Sequence, residues 1–136
     1  MFFNKKEINN NNFQTKICAL LIHAAKIDEN YTEKEEEIIK KTLSKLGLEK
    51  ENISKTIEAA KIIEKNSNQI LDFTREVKNL PSEDKIIIVE SLWSIIYSNK
   101  EADIYESNLM RRLAGLLYID NKTMGDIKEK IKLNSK

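Results

Sequence analysis

The fold is decided by the stretch from Ser91 to Ile119, SLWSIIYSNKEADIYESNLMRRLAGLLYI. An apolar run from Ile86 to Ile96 leads into it without Gly or Pro, is too long for a strand, and predicts a helix buried on most of its circumference. Asp103 and Glu106 then have the spacing of a capping box, which starts a new helix. Leucine and methionine recur at helical spacing after it, so the unit is helix, acidic loop, helix.

The same unit occurs earlier in the chain. A shift of 71 positions, the distance from Glu35 to Glu106, lays the segment Asp28 to Glu35 on the segment Asn99 to Glu106. Thr32 then falls on Asp103, so the two helix caps coincide as well as the two acidic loops. Self-similarity of this kind predicts an internal duplication, with two pseudo-repeated helix–acidic loop–helix units.

Length and composition favour one domain. The 136 residues suit a single core, and a net charge of +1 with 33% charged residues gives no electrostatic case for nucleic acid or an anionic membrane surface. No targeting signal and no apolar run of membrane-spanning length is visible. We therefore expect a soluble, cytoplasmic protein with no membrane insertion, whose oligomeric state the sequence leaves open.

Periodicity and capping signals predict an all-α, compact bundle of about seven helices and no strand. Residues 1–12 are expected to be a frayed or disordered leader, and residues 13–136 a single helical domain. The expected helices run from about Phe13 to Ile27, from the Thr32 cap to Gly47, from Glu51 to Lys65, from the Ser67 cap to Val77, from the Ser82 cap to about Asn99, from the Asp103 cap to about Ile119, and from Lys122 to Lys132.

The acidic loops are the most suggestive chemical feature. Carboxylate and amide oxygens from Asp28, Asn30 and Glu35 are suited to a hard divalent cation, calcium or magnesium. Asp103 and Glu106 are the corresponding candidates in the second unit. A carboxylate at Asp28 would also face the negative end of the preceding helix dipole, which a cation would offset.

These loops are not EF-hands, and they have other interpretations. Counted from Asp28, position six is Glu33 instead of glycine and position twelve is Ile39 instead of glutamate. Glu35 and Glu106 can instead complete capping boxes while the other acids face water or pair with lysines. A third interpretation is that the acids meet a partner's basic surface.

The remaining residue types do not indicate a catalytic site. Cys18 is alone within an apolar helical run, so neither an intramolecular disulfide nor a cysteine metal cluster is possible. His23 fits a core or boundary position better than a ligand or a base, because no second histidine or cysteine accompanies it. No nucleophile has an evident partner and no glycine-rich phosphate loop exists. No enzyme is predicted.

The aromatic side chains allow two interpretations. Trp93, Tyr97, Tyr105 and Tyr118 form either an exposed recognition patch for a protein partner or part of the core and its boundary. A separate hypothesis concerns Arg111 and Arg112, two of the three arginines of the chain. One of them is expected to reach an acid of the loop, Glu101 or Asp103, or of the other unit, and to fix how the halves pack.

A family resemblance rests on these residues. The segment LWSIIYSNKEADIYESNLMRRLAGLLYI, the earlier segment LLIHAAKIDENYTEKEEEIIKKTLSKLGL and the motif DFTRE at residues 72–76 resemble the TerB-like family of bacterial tellurite resistance proteins. The resemblance covers about Phe13 to Ile131. That family is also similar to the N-terminal region of the membrane-anchored J-domain co-chaperone DjlA. This chain has no His-Pro-Asp triplet, so it would share only the helical module.

The resemblance implies an all-helical domain with pseudo-repeated halves and an acidic loop suspected of metal binding. By position, the family's loop acid corresponds to Asp28 and the glutamate of the following helix to Glu35 and Glu106. In the second unit Asn99 replaces the loop acid, and Lys100 stands where the family has glycine. Two functions follow: a stress-associated protein that binds calcium, magnesium or zinc, or a metal-free helical protein-interaction module.

Overall fold

The structure is a computed structural model that describes residues 13–26, 32–66, 71–98 and 104–134, and every regular element among them is an α-helix. The side chains of Phe13, Leu71, Asp72, Glu76 and residues 104–107 are not described. The helices are α1 (Phe13–Ala25), α2 (Glu33–Lys45), α3 (Lys50–Asn66), α4 (Leu71–Val77), α5 (Ser82–Tyr97), α6 (Ile104–Leu116) and α7 (Asn121–Asn134). The all-α expectation is confirmed. The expected leader, residues 1–12, lies outside the described residues.

Helix α1 is the centre of the bundle. It packs against α2, α3, α4 and α5. The helical periodicity of the sequence predicts one inward stripe on α1, which includes Leu20, but the positions between, such as Cys18 and Ile22, are buried as well. A helix that is apolar on every side has to be covered on every side. The helix ends at Ala25, two residues before the expected Ile27.

Helix α5 is the second buried helix, as its apolar sequence predicts. Eight of its residues, among them Leu92 and Trp93, are buried, and it packs against α7, α2 and α1. Helix α4 packs against both α1 and α6. The core is therefore one continuous cluster that contains residues from all seven helices.

Local capping chemistry sets several helix ends. The Thr32 cap of α2 is present as expected. Ser82 does not cap α5: Pro81 is the N-cap, without a side-chain hydrogen bond, and Ser82 is the first helical residue. Proline already has its φ angle set for a helix start and has no N–H to satisfy. At α7 the Asp120 Oδ1 accepts from the Thr123 N–H at 2.7 Å, a cap that was not among the predicted ones.

Helices α2 and α6 end in the same way. Leu48 N–H donates to Leu43 O at 3.0 Å, and 71 residues later Ile119 N–H donates to Ala114 O at 2.9 Å. Between these partners lies one residue of positive φ in each helix, Gly47 at 103° and Tyr118 at 58°. This arrangement is the Schellman motif. The bounds of α2 and α6 also differ by 71 residues, whereas a common origin of the two halves stays a prediction.

Among the described helices, none combines the length and the apolar character needed to cross a membrane.

Candidate functional site

The start of α2 and the end of α5 lie at the same end of the bundle. The two helices are antiparallel: near the end of α2 the Thr42 hydroxyl contacts the Ser91 hydroxyl, and at its start Lys34 Nζ donates to Ser98 O at 3.4 Å. The Ser98 carbonyl belongs to the last turn of α5, where carbonyls lack helical partners and attract cations. The first acidic loop precedes α2 and the second follows α5. The helix ends next to the two loops therefore lie side by side at this end of the bundle.

Glu35 is a buried carboxylate at this end of the bundle. Its Oε1 accepts from the Thr32 N–H at 2.8 Å and lies 3.1 Å from the Thr32 hydroxyl, while the Glu35 N–H donates to that hydroxyl at 3.3 Å. The side chain is almost completely buried. The reciprocal bonds satisfy two amides of the helix start, as in a capping box. The capping interpretation of Glu35 is therefore correct, and any metal role would be additional to it.

The structure gives no distances between Glu35 and the other predicted metal ligands. Asp28, Asn30 and Asp103 lie outside the described residues, and Glu106 lies in α6 with its side chain not described. Within the described part of the chain, no three His, Cys, Asp or Glu side chains are grouped so that they could hold a metal ion. The predicted cation site stays a prediction.

Two neighbouring acids of α2 pair with lysines. Glu36 lies 3.2 Å from Lys61 Nζ of α3 and 4.0 Å from Lys40 Nζ, and Glu37 lies 3.8 Å from Lys40 Nζ. Such pairs on a partly exposed helix contribute only a few tenths of a kcal/mol each. Their geometric consequence is larger, because Glu36 and Lys61 connect α2 to α3.

The soft metal ligands of the described chain are engaged elsewhere. His23 is a half-buried boundary residue, as expected, and its Nδ1 lies 3.2 Å from Glu64 Oε2 of α3. The other oxygen of Glu64 accepts from Lys26 Nζ at 2.7 Å. Cys18 is buried in α1, and burial, with a smaller contribution from the negative charge of Glu36, raises the pKa of its thiol far above the ordinary value. We therefore expect the thiol to be unreactive at neutral pH while the chain is folded.

Of the two interpretations of the aromatic side chains, the core interpretation is correct for Trp93 and Tyr97. Trp93 and Tyr97 stack on each other with ring centroids 5.9 Å apart, and they are only 3% and 7% exposed. They are core residues because α7 covers this side of α5. The Tyr105 side chain is not described, whereas Tyr118 is 71% exposed.

Two lysines lie close to the Tyr118 ring. Lys85 Nζ is 5.7 Å and Lys78 Nζ 5.9 Å from the centroid of its ring, and Lys85 also donates to Leu117 O at 2.9 Å. From the sequence alone, Tyr118 has the same two interpretations as Trp93 and Tyr97. The signal that separates it is the 71-residue shift, which places Tyr118 on Gly47, a position that turns the chain outward after a helix.

The hypothesis about the arginines is not tested. Arg111 and Arg112 are both exposed on α6, and their expected partners Glu101 and Asp103 lie outside the described residues.

Comparison with known proteins gives one match. A family model described as "Tellurite resistance protein TerB" matches residues 14–129, which is most of the chain. No curated protein and no solved structure matches the chain.

Proposed function

This chain belongs to the TerB family of tellurite resistance proteins, and we propose that it binds a divalent cation at the end of the bundle where α2 begins and α5 ends. The observation that supports this site is the Lys34 Nζ to Ser98 O contact, because it brings the described ends of both acidic loops together. One cation could then receive oxygens from both units. A cytoplasmic, stress-associated and non-catalytic role belongs to the same proposal.

The donor set favours a hard ion. Asp28, Glu35, Asp103 and Glu106 would supply carboxylate oxygens and Asn30 an amide oxygen, which are ligands of calcium and magnesium. Zinc prefers nitrogen and sulfur. The single histidine is bonded to Glu64 and the single cysteine is buried, so neither supports a zinc site at this end of the bundle. Bound there, the cation would offset clustered negative charge and tie the two loops together.

The test is thermal unfolding with calcium, magnesium or zinc, followed by mass spectrometry under native conditions. Calcium or magnesium is expected to raise the melting temperature and to add the mass of the ion. At a concentration 100 times the dissociation constant, binding stabilises by about 2.7 kcal/mol. The double variant Asp28→Asn, Glu35→Gln should abolish both effects.

Two controls separate binding from capping. Asp28→Asn alone should weaken binding while it leaves the Thr32–Glu35 box intact, and Glu51→Gln, an exposed acid on α3, should change neither readout. No rise in melting temperature and no added mass with any of the three ions would reject the proposal.

The alternative function is a metal-free helical protein-interaction module. The face first considered for it contains Trp93, which is buried, so that residue cannot contact a partner without unfolding. The exposed Tyr118 supports this alternative instead.

A further inference from the structure

Tyr118 combines an exposed ring with a backbone conformation that tyrosine avoids. Its φ of 58° lies in the left-handed region, which disfavours an L-residue because the Cβ comes too close to the following carbonyl oxygen. The corresponding residue of α2 is Gly47, which adopts such angles without a side-chain clash. Because the Tyr118 ring is mostly in water, burial does not compensate this strain. Strained residues of this kind commonly mark functional positions.

Two shallow grooves flank the ring. One, of about 260 Å³, lies between the starts of α5 and α7 and has Lys85, Ile86 and Ile119 in its wall. The other, of about 270 Å³, lies between α4 and α6 and has Arg75, Lys78 and Leu116 in its wall. Each groove thus offers an apolar wall beside a cation, with Tyr118 as the ridge between them.

The charge of this surface is unbalanced. Among the described side chains, no carboxylate lies within 4.0 Å of the ammonium group of Lys78 or of Lys85. Lys85 donates to the Leu117 carbonyl, which fixes its position but leaves its charge. Asp120 is in the same groove as Lys85 and keeps its negative charge while it caps α7 through Thr123. The described walls of the two grooves therefore carry three cations, Arg75, Lys78 and Lys85, against this one carboxylate. The surface therefore complements an anionic partner.

We propose that Tyr118, Arg75, Lys78 and Lys85 form a docking site for an acidic peptide segment of a partner protein. Carboxylates of the segment pair with the lysines, and an apolar side chain between them packs on the Tyr118 ring and in one of the grooves. A peptide fits better than a nucleic acid because both grooves are partly apolar and the chain carries a net charge of only +1. This inference does not depend on the proposed cation site where α2 begins and α5 ends.

The probe is a fluorescein-labelled dodecapeptide of alternating glutamate and phenylalanine, and the readout is fluorescence anisotropy in buffer with EDTA. The full chain should bind it, more weakly as salt is added. Tyr118→Gly should weaken binding about tenfold or more while the melting temperature stays equal or rises. Lys78→Gln with Lys85→Gln should weaken it similarly, and the matched pair Lys50→Gln, Lys55→Gln on α3 should not.

Four outcomes would overturn the proposal. They are the absence of binding, equal binding by the Tyr118→Gly and wild-type chains, equal binding of a peptide with glutamine in place of glutamate, and tighter binding of oligothymidylate in competition with the peptide. Self-association of the chain that Tyr118→Gly abolishes, without peptide binding, would assign the surface to a second copy instead.

Discussion

Gly47 and Tyr118 occupy the same left-handed position, each two residues after the last residue of its helix and 71 residues apart. Only the glycine is suited to that conformation. The molecule therefore contains its own comparison between a helix end formed at low strain and one formed with a strained, exposed aromatic residue.

Opposite changes at these two positions should have opposite effects on stability. Tyr118→Gly relieves the strain of the left-handed φ and is expected to raise the free energy of unfolding by up to about 1 kcal/mol, part of the gain being offset by the entropy of glycine in the unfolded chain. Gly47→Ala introduces a Cβ at positive φ and is expected to lower it by about 1 kcal/mol. Urea denaturation of both variants measures the two signs, and a destabilised Tyr118→Gly would contradict the strain argument.

The cap of α2 offers a second comparison. Thr32→Ala removes the hydroxyl that accepts from the Glu35 N–H, and it is expected to lower the free energy of unfolding by about 1 kcal/mol. Ser82→Ala is the matched control, because Ser82 is the cap that the sequence suggests but that the structure does not use. Its effect should stay within about 0.5 kcal/mol. Equal losses in both variants would mean that α2 does not depend on its capping box.

Local signals in the sequence were sufficient for most of the fold. The Thr32–Glu35 box joins residues three positions apart, and the turn at Gly47 closes between Leu43 and Leu48, five positions apart. Both are local, so their spacing predicts them correctly. The error at Ser82 is also local, since Pro81 and Ser82 both suit a helix start. The family follows from the same stretches and is confirmed by the match to residues 14–129.

The sequence does not show which neighbouring helices cover each side of a given helix. Periodicity assigned one inward stripe to α1, but Cys18 and Ile22 are buried too because α3, α4 and α5 cover the other sides. For the same reason Trp93 and Tyr118 looked alike in the sequence and differ in the structure. Of the predicted metal ligands, Glu35 alone has a described side chain, so the site itself stays a prediction.

The difference in burial between Trp93 and Tyr118 should appear as a difference in stability when each ring is removed. Trp93→Ala removes a buried ring that stacks on Tyr97, and it is expected to lower the free energy of unfolding by about 3–5 kcal/mol. Tyr118→Ala leaves the core unchanged and should have a much smaller effect. Thermal melts monitored by circular dichroism distinguish the two, and a native-like melting temperature for Trp93→Ala would restore Trp93 as a surface residue.

Asp120 should make the stability of α7 depend on acid pH. Hydrogen bonds from the Thr123 side chain and then the Thr123 N–H lower the pKa of the Asp120 carboxyl below its ordinary value of 3.8. A group with a lower pKa in the folded state stabilises the fold above the unfolded-state pKa, and the contribution is lost as pH falls through the folded-state value. The destabilisation by Asp120→Ala, measured by urea denaturation, should therefore be full at neutral pH and shrink below about pH 4.

A matched variant isolates this bond. Thr123→Val removes the side-chain donor but keeps the backbone N–H, so the Asp120 pKa should move back toward 3.8 in a carbon-detected NMR titration. An unchanged pKa would mean that the backbone bond alone holds the carboxylate.

Cys18 reports on the burial of α1. Its thiol is completely buried and its pKa is raised by desolvation, so it should react with a disulfide reagent only when the chain unfolds. The labelling rate at neutral pH should then rise with urea in parallel with the unfolded fraction. In the control variant Cys18→Ala, Ile62→Cys, the new thiol takes an exposed position on α3 and should react at once in the absence of urea. Rapid labelling of Cys18 in the native protein would show that α1 is not enclosed by its four neighbours, and the central place of that helix in the bundle would have to be abandoned.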